Sequence, residues 1–262
     1  MQFRNLIKII LSLLIALSGV TSIFYLIINR LEVEESFWKV NKKLFNKITS
    51  KKIGNDEFWA REILNGGYIL YFRHAERDKW NDVLMFDGIE AGFNNNGKDL
   101  NGTRFGENDY FKDAVCLNKR GKIQSKGMSE IIELSKLPVG NIISSPSCRA
   151  RQTAELVFGG YEKLNKNLIH KGPFLENENE RKVFIKDYLK NLSIKEGTNT
   201  IITAHNSVIS DHTFNNKDGG TKLKLEEGGF YVISNKGDEL DLKHSFVRFS
   251  EFSKTFFPRK FN

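Results

Sequence analysis

The reading turns on "YILYFRHAERDKW", Tyr68 to Trp80. Tyr68 to Phe72 is a run of aromatic and branched apolar residues, the composition of a β-strand. It ends in Arg73, His74, Glu76 and Arg77, four polar groups within five positions. In an open α/β sheet the loops beyond the carboxyl ends of the strands share one crevice, and ligands bind there. The charged cluster therefore stands where a site belongs.

Working outward, two further strand ends carry cations or imidazoles. "NIISS" (Asn141 to Ser145) reads as a short strand, and Pro146 and Ser147 then open a helix, "CRARQTAELVFGG", that carries Arg149 and closes at Gly159. "NTIITAH" reads as a strand ending in His205, and "NSVISDHTF" after it as a turn into a helix. Helical periodicity fills the intervals: "NDEFWAREILNGG", which Asn55 or Asp56 can cap and Gly66 and Gly67 end, then "LNKRGKIQSKGMSEIIELSKL" and "NERKVFIKDYLKNL". "GGFYVISNKGDELDLKHSFVRF" reads as two strands joined by a turn around Lys236 and Gly237. Strands alternating with helices imply an α/β domain, a three-layer α/β/α arrangement around a mostly parallel sheet.

Three other features bound the organisation. Ile9 to Ile28 is a run of 20 residues without a charge, long enough to cross a bilayer as one helix. Arg4 and Lys8 before it belong on the cytoplasmic side, so the rest of the chain is expected outside the cytoplasm. The rival is a cleaved signal peptide, with a weak small-residue site at Ala16 to Ser18. The expected division is an anchor over 1–30, a juxtamembrane helical linker over 31–66 and one folded domain over 67–262. Inside that domain, 78–114 is an Asn- and Gly-rich insertion that reads as a lid, a recognition loop or a disordered segment.

The 262-residue chain carries a net charge of +8 with 40% hydrophobic residues. Its lysines are scattered among acids, and no ribonucleoprotein motif, zinc-finger spacing or basic stripe is present, so nucleic acid is not an expected partner. Cys116 and Cys148 are too few for a disulfide framework or a zinc site. One bridge is open to them in an oxidising compartment, and the sequence leaves that pairing undecided.

Two His and two Arg at neighbouring strand ends suit a phosphate monoester, which carries about −1.5 to −2 charges at neutral pH. Arginine grips such oxygens with a planar fork. A neutral imidazole nitrogen can attack phosphorus and split the displacement into two steps. A second imidazole can stabilise the transferring group, while a carboxylic acid protonates the leaving oxygen.

These residues resemble the histidine phosphatase superfamily, which includes the phosphoglycerate mutases. The resemblance lies in Arg73-His74, in Ser145-Pro146-Ser147-Cys148-Arg149-Ala150-Arg151-Gln152-Thr153-Ala154 against the pattern Ser-Pro-x-x-Arg-x-x-Gln-Thr-Ala, and in His205, in family order over Tyr68 to Phe249. It implies His74 as the nucleophile, Arg73, Arg149 and His205 as the phosphate pocket, and no metal or cofactor. Arg77 is expected to contact substrate or to pair with Glu76. Asn206 stands where another branch of the family has an aspartate, which argues against acid phosphatases and phytases and leaves Asn206 as a substrate-binding candidate. The implied acid is Glu176, in "GPFLENENER", with Glu180 as the alternative. His170, His212 and His244 read as ordinary core or surface groups.

"FRHAERD", "CLNKRGKIQSKG" and "TAHN" are more narrowly similar to the exported lipopolysaccharide-core heptose phosphatase group, although 78–114 and the fuller Ser-Pro motif depart from it. The expected function is a metal-independent phosphomonoesterase that forms phosphohistidine and acts on a phosphorylated sugar, glycan or related envelope substrate. The rivals are a phosphohistidine mutase, a protein-phosphohistidine phosphatase and a non-catalytic phosphate-binding module at the membrane.

Overall fold

The computed structural model describes residues 55–79, 112–170, 178–217, 223–237 and 239–257. The expected anchor, most of the 78–114 insertion and Glu176 lie outside the described residues. Among the described residues no helix is long and apolar enough to cross a membrane.

Among the described residues, seven strands form one mixed, mostly parallel sheet: β1 (Ile69–Arg73), β2 (Val139–Ser144), β3 (Lys163–Leu164), β4 (Asn199–Ala204), β5 (Asn216–Lys217), β6 (Phe230–Ser234) and β7 (Asp241–Phe246), in the order β3-β2-β4-β1-β6-β7-β5. β1 pairs parallel with β4 and antiparallel with β6, β2 pairs parallel with β3 and β4, and β6–β7 is an antiparallel hairpin. The described helices are α1 (Asn55–Glu62), α2 (Lys112–Val115), α3 (Lys119–Ser135), α4 (Cys148–Phe158), α5 (Glu178–Lys190) and α6 (Phe249–Phe256).

β1 carries no charge before Arg73 because both of its faces are covered over Ile69 to Phe72. Leu70 and Phe72 enter a core with residues of α1, α3, α4 and α6, including Ala60, Met128, Ala154 and Phe252. Ile69 and Tyr71, on the opposite face by the two-residue period of a strand, meet Ile185 and Leu189 of α5. A strand sandwiched in this way has no solvent side for polar residues to occupy.

Register decides what leaves the sheet together. Arg73 lies opposite Ala204, and Ser144 opposite Thr203. The next residues out are His74, His205 and Ser145, held in line by His74 N–H to the Ala204 carbonyl at 3.0 Å and Ser145 N–H to the Thr203 carbonyl at 2.9 Å.

Several elements differ from the sequence reading. The compact unit begins at Asn55, so the helix placed in the linker belongs to the folded domain. Ala60 and Ile63, three residues apart on one helical face, are fully buried, and Asp56 accepts a 2.9 Å bond from His244 of β7. The last residues assigned to the irregular insertion are helical, since Lys112–Val115 forms α2 with Ala114 and Val115 buried. Instead of a helix, 206–213 forms two 3-10 turns, Asn206–Val208 and Asp211–Thr213, because Ile209 and Ser210 between them are extended. The sequence reading assigns no element after the hairpin, and the structure adds α6 there: Phe249, Phe252 and Phe256 recur at helical spacing, and Phe252 packs 5.6 Å from Phe230 and 5.7 Å from Phe246.

Candidate active site

His74 is buried directly beyond β1, and its Nδ1 lies 2.7 Å from the Ala75 carbonyl. A carbonyl only accepts, so Nδ1 carries the proton and Nε2 keeps its lone pair. His205 is oriented the other way. Arg149 Nη2, which only donates, reaches His205 Nδ1 at 3.4 Å. Nε2 of His205 then carries the proton, between the hydroxyls of Ser145 at 3.2 Å and Ser147 at 3.1 Å. The two rings are 5.2 Å apart and tilted by 59°.

Burial drives both imidazoles well below the usual histidine pKa, and the Arg149 charge adds to it. Hydrogen bonding to Ala75 opposes the shift at His74, while Arg73 and Arg77 reinforce it. Both rings are therefore neutral near pH 7 in the unliganded protein, the form in which an imidazole acts as a nucleophile.

The Ser145–Ala154 motif builds the wall opposite. Ser147 caps α4 from an extended backbone, but its hydroxyl is turned to His205 rather than to the helix. Arg149 follows in the first turn, only 1% exposed. Thr153 accepts from the Ala75 N–H at 2.9 Å and donates to the Arg149 carbonyl at 2.7 Å, tying the loop after β1 to the helix that carries Arg149. Gln152 accepts from the Leu117 N–H at 2.9 Å, and Arg151 Nε donates to the Pro146 carbonyl at 2.9 Å. Gly159, left-handed at φ 83°, ends the helix.

Arg73 donates to the Leu225 carbonyl at 2.8 Å and pairs with Glu227 at 3.2 Å. Burial lowers the Arg73 pKa, with Glu227 opposing; burial raises that of Glu227, with Arg73 opposing. Glu76 pairs with Arg120 and accepts from Asn118 Nδ2 at 3.2 Å, which fixes the start of α3 against this loop. A side chain at Gly121 would meet the Glu76 carbonyl at 1.9 Å, so only glycine allows that approach.

Arg73, His74, Arg77, Arg149, His205 and Asn206 all line one cavity of about 350 Å³. His170, Ser207, Leu223 and Lys224 line it too, and none of these was a sequence candidate. Among the described residues the lining holds three guanidiniums and one ammonium and no carboxylate, a surface for an anion. No three of His, Cys, Asp and Glu gather among the described residues as a metal-holding group.

The structure adds to the reading of His170, Asn206 and the acid candidates. His170 is not a bystander: its Nδ1 bonds the Ser207 hydroxyl and its ring lies 6.0 Å from His205. No motif marks it, and only the fold brings it in. Asn206 lines the cavity and also bonds Leu225, donating to its carbonyl at 2.7 Å and accepting from its N–H at 3.3 Å. These bonds tie it to the loop at 225 and use one of its two amide N–H groups. Of the two acid candidates, Glu180 is exposed in the first turn of α5 and does not line the cavity, while Glu176 lies outside the described residues. His244 is the structural group the sequence reading made it, stacked on Trp59 and bonded to Asp56. Cys116 and Cys148, left undecided by the sequence, form a disulfide.

No family model and no curated protein matches the chain. Among solved structures it is similar to the protein histidine phosphatase SixA complexed with tungstate, at 15% identity over 68% of this chain and 96% of that one, with a TM-score of 0.44. It is similar to a phosphoserine phosphatase from Entamoeba histolytica in complex with 3-phosphoglyceric acid, at 16% identity over 68% of this chain and 96% of that one, TM-score 0.40. A phosphoglycerate mutase from Thermus thermophilus is similar at 15% identity over 66% of this chain and 95% of that one, TM-score 0.38. At these identities and scores, the functional reading rests on the geometry of this site.

Proposed function

We propose that the chain is a histidine-type phosphatase that cleaves phosphate monoesters through a phosphohistidine intermediate. The observation that carries this reading is the state of His74: a buried, neutral imidazole with Nδ1–H fixed on the Ala75 carbonyl and Nε2 unprotonated, in a cavity lined by Arg73, Arg149 and His205. A monoester dianion in that cavity meets two guanidinium forks. Nε2 of His74 attacks phosphorus, and the bond to the leaving oxygen breaks with its electron pair. That oxygen takes a proton from a carboxylic acid, for which Glu176 is the candidate. Water then attacks phosphorus and gives a proton to the carboxylate left by the first step; the N–P bond breaks, releasing phosphate and restoring the neutral ring and the acid. Arg73, Arg149 and His205 stabilise the equatorial oxygens in both steps.

The substrate we propose is a phosphorylated sugar or glycan of the cell envelope, processed by a membrane-anchored enzyme outside the cytoplasm. Support comes from the uncharged Ile9 to Ile28 run behind Arg4 and Lys8. The Cys116–Cys148 disulfide adds to it, since such bridges persist in oxidising compartments. A cavity of about 350 Å³ has room for a phosphoryl group and a sugar ring.

The test is hydrolysis of 4-nitrophenyl phosphate, with a ³²P-labelled substrate quenched in alkaline denaturant, where a phosphoramidate survives. Label should remain on wild-type protein and vanish in His74→Gln. Equal labelling of both proteins refutes the assignment of the nucleophile; no hydrolysis by wild type refutes the phosphatase.

A further inference from the structure

The disulfide closes across 32 positions and lies next to a guanidinium of the site. Cys148 is the first residue of α4, immediately before Arg149, and Cys116 immediately follows Val115 at the end of α2. Both half-cystines are buried, in a small cluster with Ala114 and Val115. The Val115 carbonyl accepts from Arg149 Nη1 at 3.5 Å, while Nη2 of the same guanidinium reaches His205. One residue further on, the Leu117 N–H is held by Gln152 of α4. The segment 115–117 is thus fastened to α4 by one covalent link and one hydrogen bond, and it offers a carbonyl to the arginine.

A long side chain that meets a dianion must surrender its rotamer freedom on binding, and a side chain already held surrenders less. Resting on the phosphatase reading of this cavity, we infer that Cys116 and Cys148 are positioning residues for Arg149: their disulfide keeps the Val115 carbonyl where it orients the guanidinium before phosphate arrives. The bridge does not touch substrate. It acts through Arg149, and the phosphate affinity of the cavity follows the oxidation state of the pair.

The test uses the full chain and inorganic phosphate, with Kd measured by calorimetry and KM and kcat measured on 4-nitrophenyl phosphate. Cys116→Ala/Cys148→Ala, folded by circular dichroism at the assay temperature, should raise the phosphate Kd about two- to tenfold, the cost of ordering one long side chain. KM should rise with it. Wild type reduced by dithiothreitol should match the double variant; the dithiol gives two electrons and two protons to the S–S bond, leaving two thiols and oxidised dithiothreitol. Arg149→Lys should weaken phosphate binding more in the bridged protein than in the double variant, a non-additivity that a bridge stapling only the fold would not produce. An unchanged Kd, or strictly additive effects, overturns the inference, and so does loss of the folded signal in both the double variant and the reduced protein, which would make the bridge a staple of the whole domain. If oxidised wild type binds phosphate but hydrolyses nothing, the phosphatase reading falls while the Kd comparison still decides this one; if it binds no phosphate, both fall.

Discussion

Two imidazoles kept neutral inside a folded protein should make its stability fall on mild acidification, by an amount the site sets. His74 and His205 are 4% and 2% exposed, and burial, followed by the Arg149 charge, holds both well below the ordinary value of about 6.5. In the unfolded chain each titrates near 6.5, so below that pH the unfolded state binds protons that the folded state refuses. Stability is therefore complete above the unfolded pKa and is lost as pH falls below it, at about 1.4 kcal/mol per pH unit for each ring. Two rings make the loss between pH 7.5 and 5.5 roughly 3 kcal/mol, a large share of the 5–15 kcal/mol of a typical domain. Urea unfolding followed by circular dichroism at pH 7.5, 6.5 and 5.5 measures it. His74→Gln or His205→Gln should each remove about half of the pH dependence, and the double substitution nearly all of it. Glu227, raised by burial, works in the opposite sense, gaining stability as pH falls, and is common to every variant compared. A double variant that keeps the full wild-type slope would refute the claim that these rings are buried in the neutral form.

Thr153→Val removes the acceptor of the Ala75 N–H and the donor to the Arg149 carbonyl while keeping the shape, leaving a buried amide unsatisfied; we expect about 1–3 kcal/mol less stability in urea and a lower kcat/KM on 4-nitrophenyl phosphate, because His74 and Arg149 lose their tie. Gly121→Ala drives a methyl to 1.9 Å from the Glu76 carbonyl, so α3 or the loop after β1 must move; activity should fall more than for Gly127→Ala on the same helix, where the added carbon meets nothing within 4 Å. Phe252→Ala empties a fully buried site among Phe230, Phe246 and Phe249 and should cost about 3–5 kcal/mol in urea unfolding.

How much of this was legible before folding divides along the chain distance of each interaction. β1 could be read because strand composition is local, and α4 because its start at Pro146 and Ser147 and its stop at Gly159 lie within its own residues. The cluster of Arg73, His74, Arg149 and His205 could be read because each stands at the end of a recognisable strand or the start of a helix, and parallel pairing puts such ends on one edge. α6 is harder to read because it is only eight residues long, and its Phe249, Phe252 and Phe256 acquire a buried face only against Phe230 and Phe246 of the sheet.

By itself, then, the sequence determined a mostly parallel α/β sheet and four polar groups able to grip and attack a phosphate. The tertiary structure alone decided the rest of the wall and the use of each group. His170, Ser207 and Lys224 border the cavity because of where their loops pack, and no residue pattern at their positions announces it. Asn206 bonds Leu225, and Cys116 finds Cys148, because a hydrogen bond or a disulfide is chosen by the partner that folding brings near. Local pattern says what a side chain can do; only the packed chain supplies the neighbour that selects among those abilities.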